Sequence, residues 1–86
     1  MNAHDIEACL RAALAPESLL VQDDSHLHAG HAGAREGGHY SVQITASRFT
    51  GLSRVARHRL VYDSLGSLSA QRVHALAITA KAPGED

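Results

Sequence analysis

Residues 47–62 read SRFTGLSRVARHRLVY, and the reading of this stretch decides the fold. A strand end runs into Thr50-Gly51, a pair that punctuates the chain, and an Arg-rich helix opens just beyond it. Sheet, turn and charged helix therefore meet within one segment. Leu52, Val55, Ala56 and Leu60 fall at i, i+3, i+4 and i+8, which predicts a buried apolar stripe. Arg54, Arg57 and His58 fall at i, i+3 and i+4 on a different face, which predicts a compact cationic surface flanked by Arg48 and Arg59.

Upstream, residues 39–46 alternate cleanly, with Tyr40, Val42, Ile44 and Ala46 on one face and Ser41, Gln43 and Thr45 on the other. Residues 26–38 contain His26, His28, His31 and several glycines without periodicity, and read as a flexible loop, long for a hairpin. Before it, 18–25 opens with Leu19-Leu20-Val21 and reads as a strand. The first helix is capped by Asn2, carries Asp5 in its first turn, repeats Ile6, Leu10, Ala13 and Leu14, and ends at Pro16. Cys9 falls on the same stripe and reads as a small core residue.

Downstream, the central helix runs over 52–65 and stops at Gly66, and 67–73 form a short further helix or turn. Residues 75–81 alternate again, with Leu76, Ile78 and Ala80 inward, and 82–86 form a frayed tail. Phe49 and Tyr62 serve the core at either end of the helix. The order α-β-β-α-α-β predicts an α+β fold of one small domain spanning residues 1–86. Its first two strands form an antiparallel hairpin, and the third returns through helices to lie parallel to the second. A three-stranded mixed sheet with helices on one face follows.

A chain of 86 residues buries only roughly 60–65% of its unfolded surface, which leaves little room for an internal active-site cavity. The net charge of −1 argues against non-specific nucleic-acid binding by the chain as a whole, so any such binding must be local. One cysteine excludes an internal disulfide and an all-Cys metal site. No basic-then-apolar N-terminal segment and no apolar run long enough for a bilayer occur, which predicts a cytoplasmic protein without membrane partners.

Topology brings distant histidines together. The loop with His26, His28 and His31 enters the second strand at its N-terminal end, and His74 stands at the start of the parallel third strand. A loop imidazole facing one anchored at a strand edge makes a pair of soft-metal ligands. Two ligands do not close a site, so the remainder must come from a partner. There is no H-E-x-x-H and no carboxylate beside the histidines, which argues for a binding protein without a small-molecule substrate and against an enzyme. His39 reads as structural, His58 as a capping or packing residue of the charged helix, and His4 and His26 as surface residues.

The words RFTG (48–51), RHRLVY (57–62) and VHALAI (73–78), in this order and separation, resemble the BolA family. The resemblance implies a class II KH-like fold and a non-enzymatic role in iron-sulfur cluster assembly or trafficking. It also implies a monothiol glutaredoxin partner with which a [2Fe-2S] cluster is shared. One ligand corresponds to His74 and the other to a residue of the loop, where His28, after Asp24-Ser25, matches the family pattern. The longer, glycine-rich loop departs from that pattern, so His31 stands as the alternative. The family also includes transcriptional regulators, which makes DNA binding, in a stress-linked regulator, the second reading. Arg48, Arg54, Arg57, His58 and Arg59 would then form the nucleic-acid or partner surface. The G-x-x-G clamp of RNA-binding KH domains is missing.

Overall fold

The structure is a computed structural model and describes residues 2–24, 38–66 and 73–85; of 38 and 73–75 only the backbone is described. The elements in order are α1 (Ala3–Leu14), β1 (Ser18–Asp23), β2 (Gly38–Thr45), a 3-10 turn (Ser47–Phe49), α2 (Arg54–Leu65) and β3 (Val73–Lys81). The further helix expected over 67–73 falls mainly outside the described residues, and Val73 itself opens β3.

α1 starts where Asn2 and Asp5 cap one another: the Asp5 amide donates to the Asn2 side chain at 2.9 Å, and the Asn2 amide donates to the Asp5 carboxylate at 3.2 Å. Ile6, Leu10 and Leu14 are buried, whereas Ala13, on the margin of that stripe in the last turn, is exposed. Ala15 turns left-handed (φ 45°) and Pro16 prevents continuation.

The strand order is β1-β2-β3. β1 and β2 are antiparallel with Ser18 opposite Thr45 and Asp23 opposite Tyr40. β2 and β3 are parallel from Gly38 beside Val73 to Thr45 beside Lys81, with one irregularity at Gly38/His39. The period of two puts Tyr40, Val42, Ile44 and Ile78 into the core, where they meet Ile6, Leu10, Leu14, Val61 and Leu65. Gln43 and Thr79, with Leu20, lie on the opposite face and are exposed. The helices thus cover one face of a mixed sheet, as the alternation requires.

α2 departs from expectation in rotation. It begins at Arg54 rather than Leu52, because Ser53 caps it by accepting the Ala56 amide at 3.1 Å. Its buried residues are Val61 and Leu65; Leu60 is half-buried, while Leu52 and Val55 are 36% and 68% exposed. Phe49, fully buried on the 3-10 turn, occupies the core position that a leucine at the helix start would otherwise fill. Gly51, at φ 79°, then reverses the chain into the helix. At 100° per residue, Arg54, Arg57 and His58 lie on the same side of α2 as Val61 and Leu65, about one to three turns earlier. The expected division of faces is therefore blurred over the first half of the helix: Arg57 and His58 are half-buried like Ala56, while Val55 is exposed like Arg54. Tyr62, expected in the core, is 40% exposed.

Residues 82–85 are not frayed. Ala82 is buried, Gly84 adopts φ 87°, and the Glu85 amide closes a turn on the Ala82 carbonyl at 3.1 Å. A side-chain clamp described below holds this turn; Asp86 lies outside the described residues.

Candidate functional site

The residues singled out in the sequence fall mainly in two regions, at opposite ends of β3. At its start, the chain leaves β1 through Asp24, whose amide donates to the His39 carbonyl at 2.8 Å, and returns at Gly38. The Ser41 hydroxyl donates to the Asp24 carboxylate across the hairpin, which fixes the departing backbone. On the other side of β2, Gly38 pairs with Val73 and His39 with Ala75, so the backbone of His74 falls at the irregularity between the two pairs. Both anchors of the segment that carries His26, His28 and His31 thus stand at the end of the sheet where His74 stands. Those three histidines lie outside the described residues, and of His74 the backbone alone is placed. Among the described residues no group of three or more His, Cys, Asp and Glu side chains forms a metal site.

Nearby, burial raises the pKa of Tyr40, and the charges of Asp23 and Asp5 add to the effect. His39 is half-buried where β2 begins. Cys9 is half-buried on α1, and its thiol donates to the Ser64 carbonyl of α2 at 2.9 Å, which fits a packing role. His4 is exposed.

The second region lies where the start of α2 passes the outer edge of β3. A groove of about 500 Å³ separates Arg54, Arg57 and His58 from Ile78, Ala80 and Lys81. Arg57 crosses it. Its Nε donates to the Leu52 carbonyl at 3.0 Å, and Nη1 donates to the Ala80 carbonyl at 3.1 Å. Nη1 and Nη2 also grip the two carboxylate oxygens of Glu85 at 2.5 and 2.8 Å. The Ala82 amide gives Glu85 a third bond at 3.0 Å. This fork is the planar, bidentate geometry for which arginine is suited. Hydrogen bonding to Arg57 and then to Ala82 lowers the Glu85 pKa to about 2, and the same carboxylate raises that of Arg57.

The five residues expected to make one basic surface are therefore divided. Arg57 is spent within the fold, its side chain only 14% exposed. His58 is half-buried in the groove beside the exposed Arg54. Arg48 and Arg59 are exposed on the other side of α2, around a shallow depression with Leu52, Ala56, Leu60 and Asp63. Sequence reading missed the Arg57–Glu85 clamp because 28 residues separate its partners; the one local signal is the Pro83-Gly84 turn that brings Glu85 back.

An antiparallel hairpin, a parallel return strand and two helices on one sheet face define a small α+β domain. Residues 10–85 match the family model described as BolA-like protein, and the chain belongs to the BolA-like family. It is 44% identical to BolA-like protein 1 of Mus musculus, covering 96% of this chain but 62% of the mouse protein's length. It is 41% identical to the DNA-binding transcriptional regulator BolA of Escherichia coli, covering 85% of this chain and 68% of that protein. The BolA domain of SufE1 from Arabidopsis thaliana superposes with a TM-score of 0.85 at 42% identity, over 98% of this chain and 94% of that domain. Among the described residues no helix is long and apolar enough to cross a membrane.

Proposed function

We propose that the protein is a non-enzymatic iron-sulfur adaptor that shares a [2Fe-2S] cluster with a monothiol glutaredoxin. The observation that carries this reading is the sheet register, which sets the backbone of His74 between the pairs Gly38/Val73 and His39/Ala75, beside both anchors of the histidine-bearing segment. His74 and His28, with His31 as the alternative, would hold the iron on this chain's side, and the partner would supply the other ligands. Imidazole suits iron as a donor, and a donor set of two histidines fits a cluster whose remaining iron is held by thiolates. The cluster is cargo: when bound it supplies one-electron chemistry and a transferable iron-sulfur unit, with a potential raised by histidine ligation. This chain's part is to present imidazoles at one sheet end and to hold the ends of their segment through Asp24, Ser41 and Gly38.

The test is to mix the purified protein with cluster-loaded glutaredoxin and record visible absorption and circular dichroism. A spectrum distinct from that of glutaredoxin alone is expected, and His74→Ala should perturb it more than His58→Ala. An unchanged spectrum without complex formation would remove the reading.

DNA binding by a transcriptional regulator is the second reading, supported by the name of the E. coli relative and by the exposure of Arg48, Arg54 and Arg59. It requires affinity that falls steeply with salt and drops on Arg59→Ala. Arg57 is a poor probe of it, since its loss would also break the bonds to Leu52, Ala80 and Glu85 within the fold.

A further inference from the structure

The groove beside β3 shows in three ways what it is built to take. First, its floor is a strand edge. The Lys81 carbonyl accepts the Ala46 amide at 3.0 Å on the β2 side, whereas the Ala80 carbonyl accepts Arg57 from the other side at 3.1 Å. Alternation along the strand turns the N–H and C=O of Ile78 and Ala80 away from β2 and towards the groove. Second, Arg54, Arg57, His58 and Lys81 gather basic groups there, and Glu85 is the one acid among the lining residues. Third, a carboxylate is already seated on the Arg57 fork, and it belongs to the chain itself. That carboxylate is 43% exposed, so a second carboxylate arriving from solvent can reach the fork and compete for it.

We propose that this groove receives an extended acidic segment of a partner protein, which adds as a strand to the outer edge of β3 and sets its own carboxylate on Arg57 in place of Glu85. Glu85 is then an internal stand-in that keeps the acid position filled until the partner arrives. Backbone pairing supplies the affinity and the basic groups supply the choice of an acidic sequence, the division of labour usual in strand addition. A nucleic-acid phosphate would satisfy Arg57 equally, but it would leave the N–H and C=O of Ile78 and the N–H of Ala80 without a complementary strand. The region lies at the opposite end of β3 from His74 and stands independently of the cluster reading.

The test uses a fluorescein-labelled pentapeptide of alternating valine and glutamate, titrated by fluorescence polarisation into the wild-type chain and into Glu85→Gln. Glutamine keeps an oxygen for the Ala82 amide and removes only the charge held by Arg57, so the turn is retained. The variant should bind about tenfold more tightly than wild type, the release of a competing internal ligand. The same peptide N-methylated at alternate amides should lose at least about tenfold with both proteins, because it cannot extend a ladder. Amide shifts on binding should centre on Ile78, Ala80, Arg54 and His58. Equal affinities for wild type and variant, no binding by either, or indifference to N-methylation would overturn the proposal. A thymidine oligonucleotide bound more tightly than the peptide would reassign the groove to nucleic acid. Dimerisation of Glu85→Gln without peptide uptake would reassign it to a second copy, and either result overturns the acidic segment.

Discussion

The two ends of β3 are held by different means. At its start the register is interrupted beside His74, and β1 and β2 hold the two ends of the histidine-bearing connection. At its end the pairing is regular through Thr45 and Lys81, and a side-chain fork on Glu85 does the holding. Six residues at about 3.3 Å each put Ala80 about 20 Å from His74. One strand can thus serve two sites with different chemistry, soft donors at one end and hard charges at the other, without their competing for the same groups.

The most severe way to break that separation is to remove what both ends rest on. Phe49 is fully buried under the start of α2, and Phe49→Ala should cost about 3–5 kcal/mol in a urea melt. That is a large part of the stability of a small domain, so glutaredoxin-dependent cluster uptake and peptide binding should fail together.

A narrower break concerns the charged end alone. The Glu85 pKa is lowered from 4.5 to about 2 in the folded chain, so the unfolded chain binds more protons between these values. The clamp's contribution is complete above about pH 5 and is lost as pH falls towards 2. Arg57→Ala should lower the melting temperature at pH 7 more than Arg59→Ala does, and the difference should shrink below pH 4. In Glu85→Gln the acid-dependent step in stability should flatten across the same window.

A cross between the two ends sharpens the comparison further. His74→Ala should weaken the mixed cluster spectrum and leave acidic-peptide affinity unchanged, and Glu85→Gln should do the reverse. The double variant should show the sum of the single effects within about 0.5 kcal/mol, as expected for sites farther apart than about 10 Å without shared partners. A larger coupling would mean that β3 transmits strain between its ends.

Periodicity made the sheet legible. Tyr40, Val42 and Ile44 could face only one way, and the parallel return of β3 followed from a connection that contains a helix. α1 was equally readable, since Asn2, Asp5 and Pro16 mark its ends and Ile6, Leu10 and Leu14 one face. α2 was not, because it carries apolar residues on two sides. Leu52 and Val55 compete with Val61 and Leu65 for the core, and spacing fits either rotation. The rotation observed sets Arg57 against Ala80 and Glu85, contacts distant in sequence, while Phe49 occupies the core just before the helix. The same gap hid the groove, because a basic residue on a helix reads as solvated until the strand beside it is placed. The end of the sheet at which His74 stands was legible from topology, whereas the side chains of His28, His31 and His74 lie outside the described residues.

The mildest change tests whether α1 favours one end of β3 over the other. Asn2→Ala removes the acceptor of the Asp5 amide and half of a capping box, which should cost about 1 kcal/mol. Asp5 is also one of the charges that raise the Tyr40 pKa, so the first turn of α1 is coupled to the start of β2. Fraying of that turn should therefore speed amide exchange at the first residues of β2 and lower the Tyr40 pKa slightly, while amides around Arg57 and Ala80 keep their protection. Equal loosening at both ends would show that the domain opens as one unit, and the independence of the two sites would then hold only for binding and not for motion.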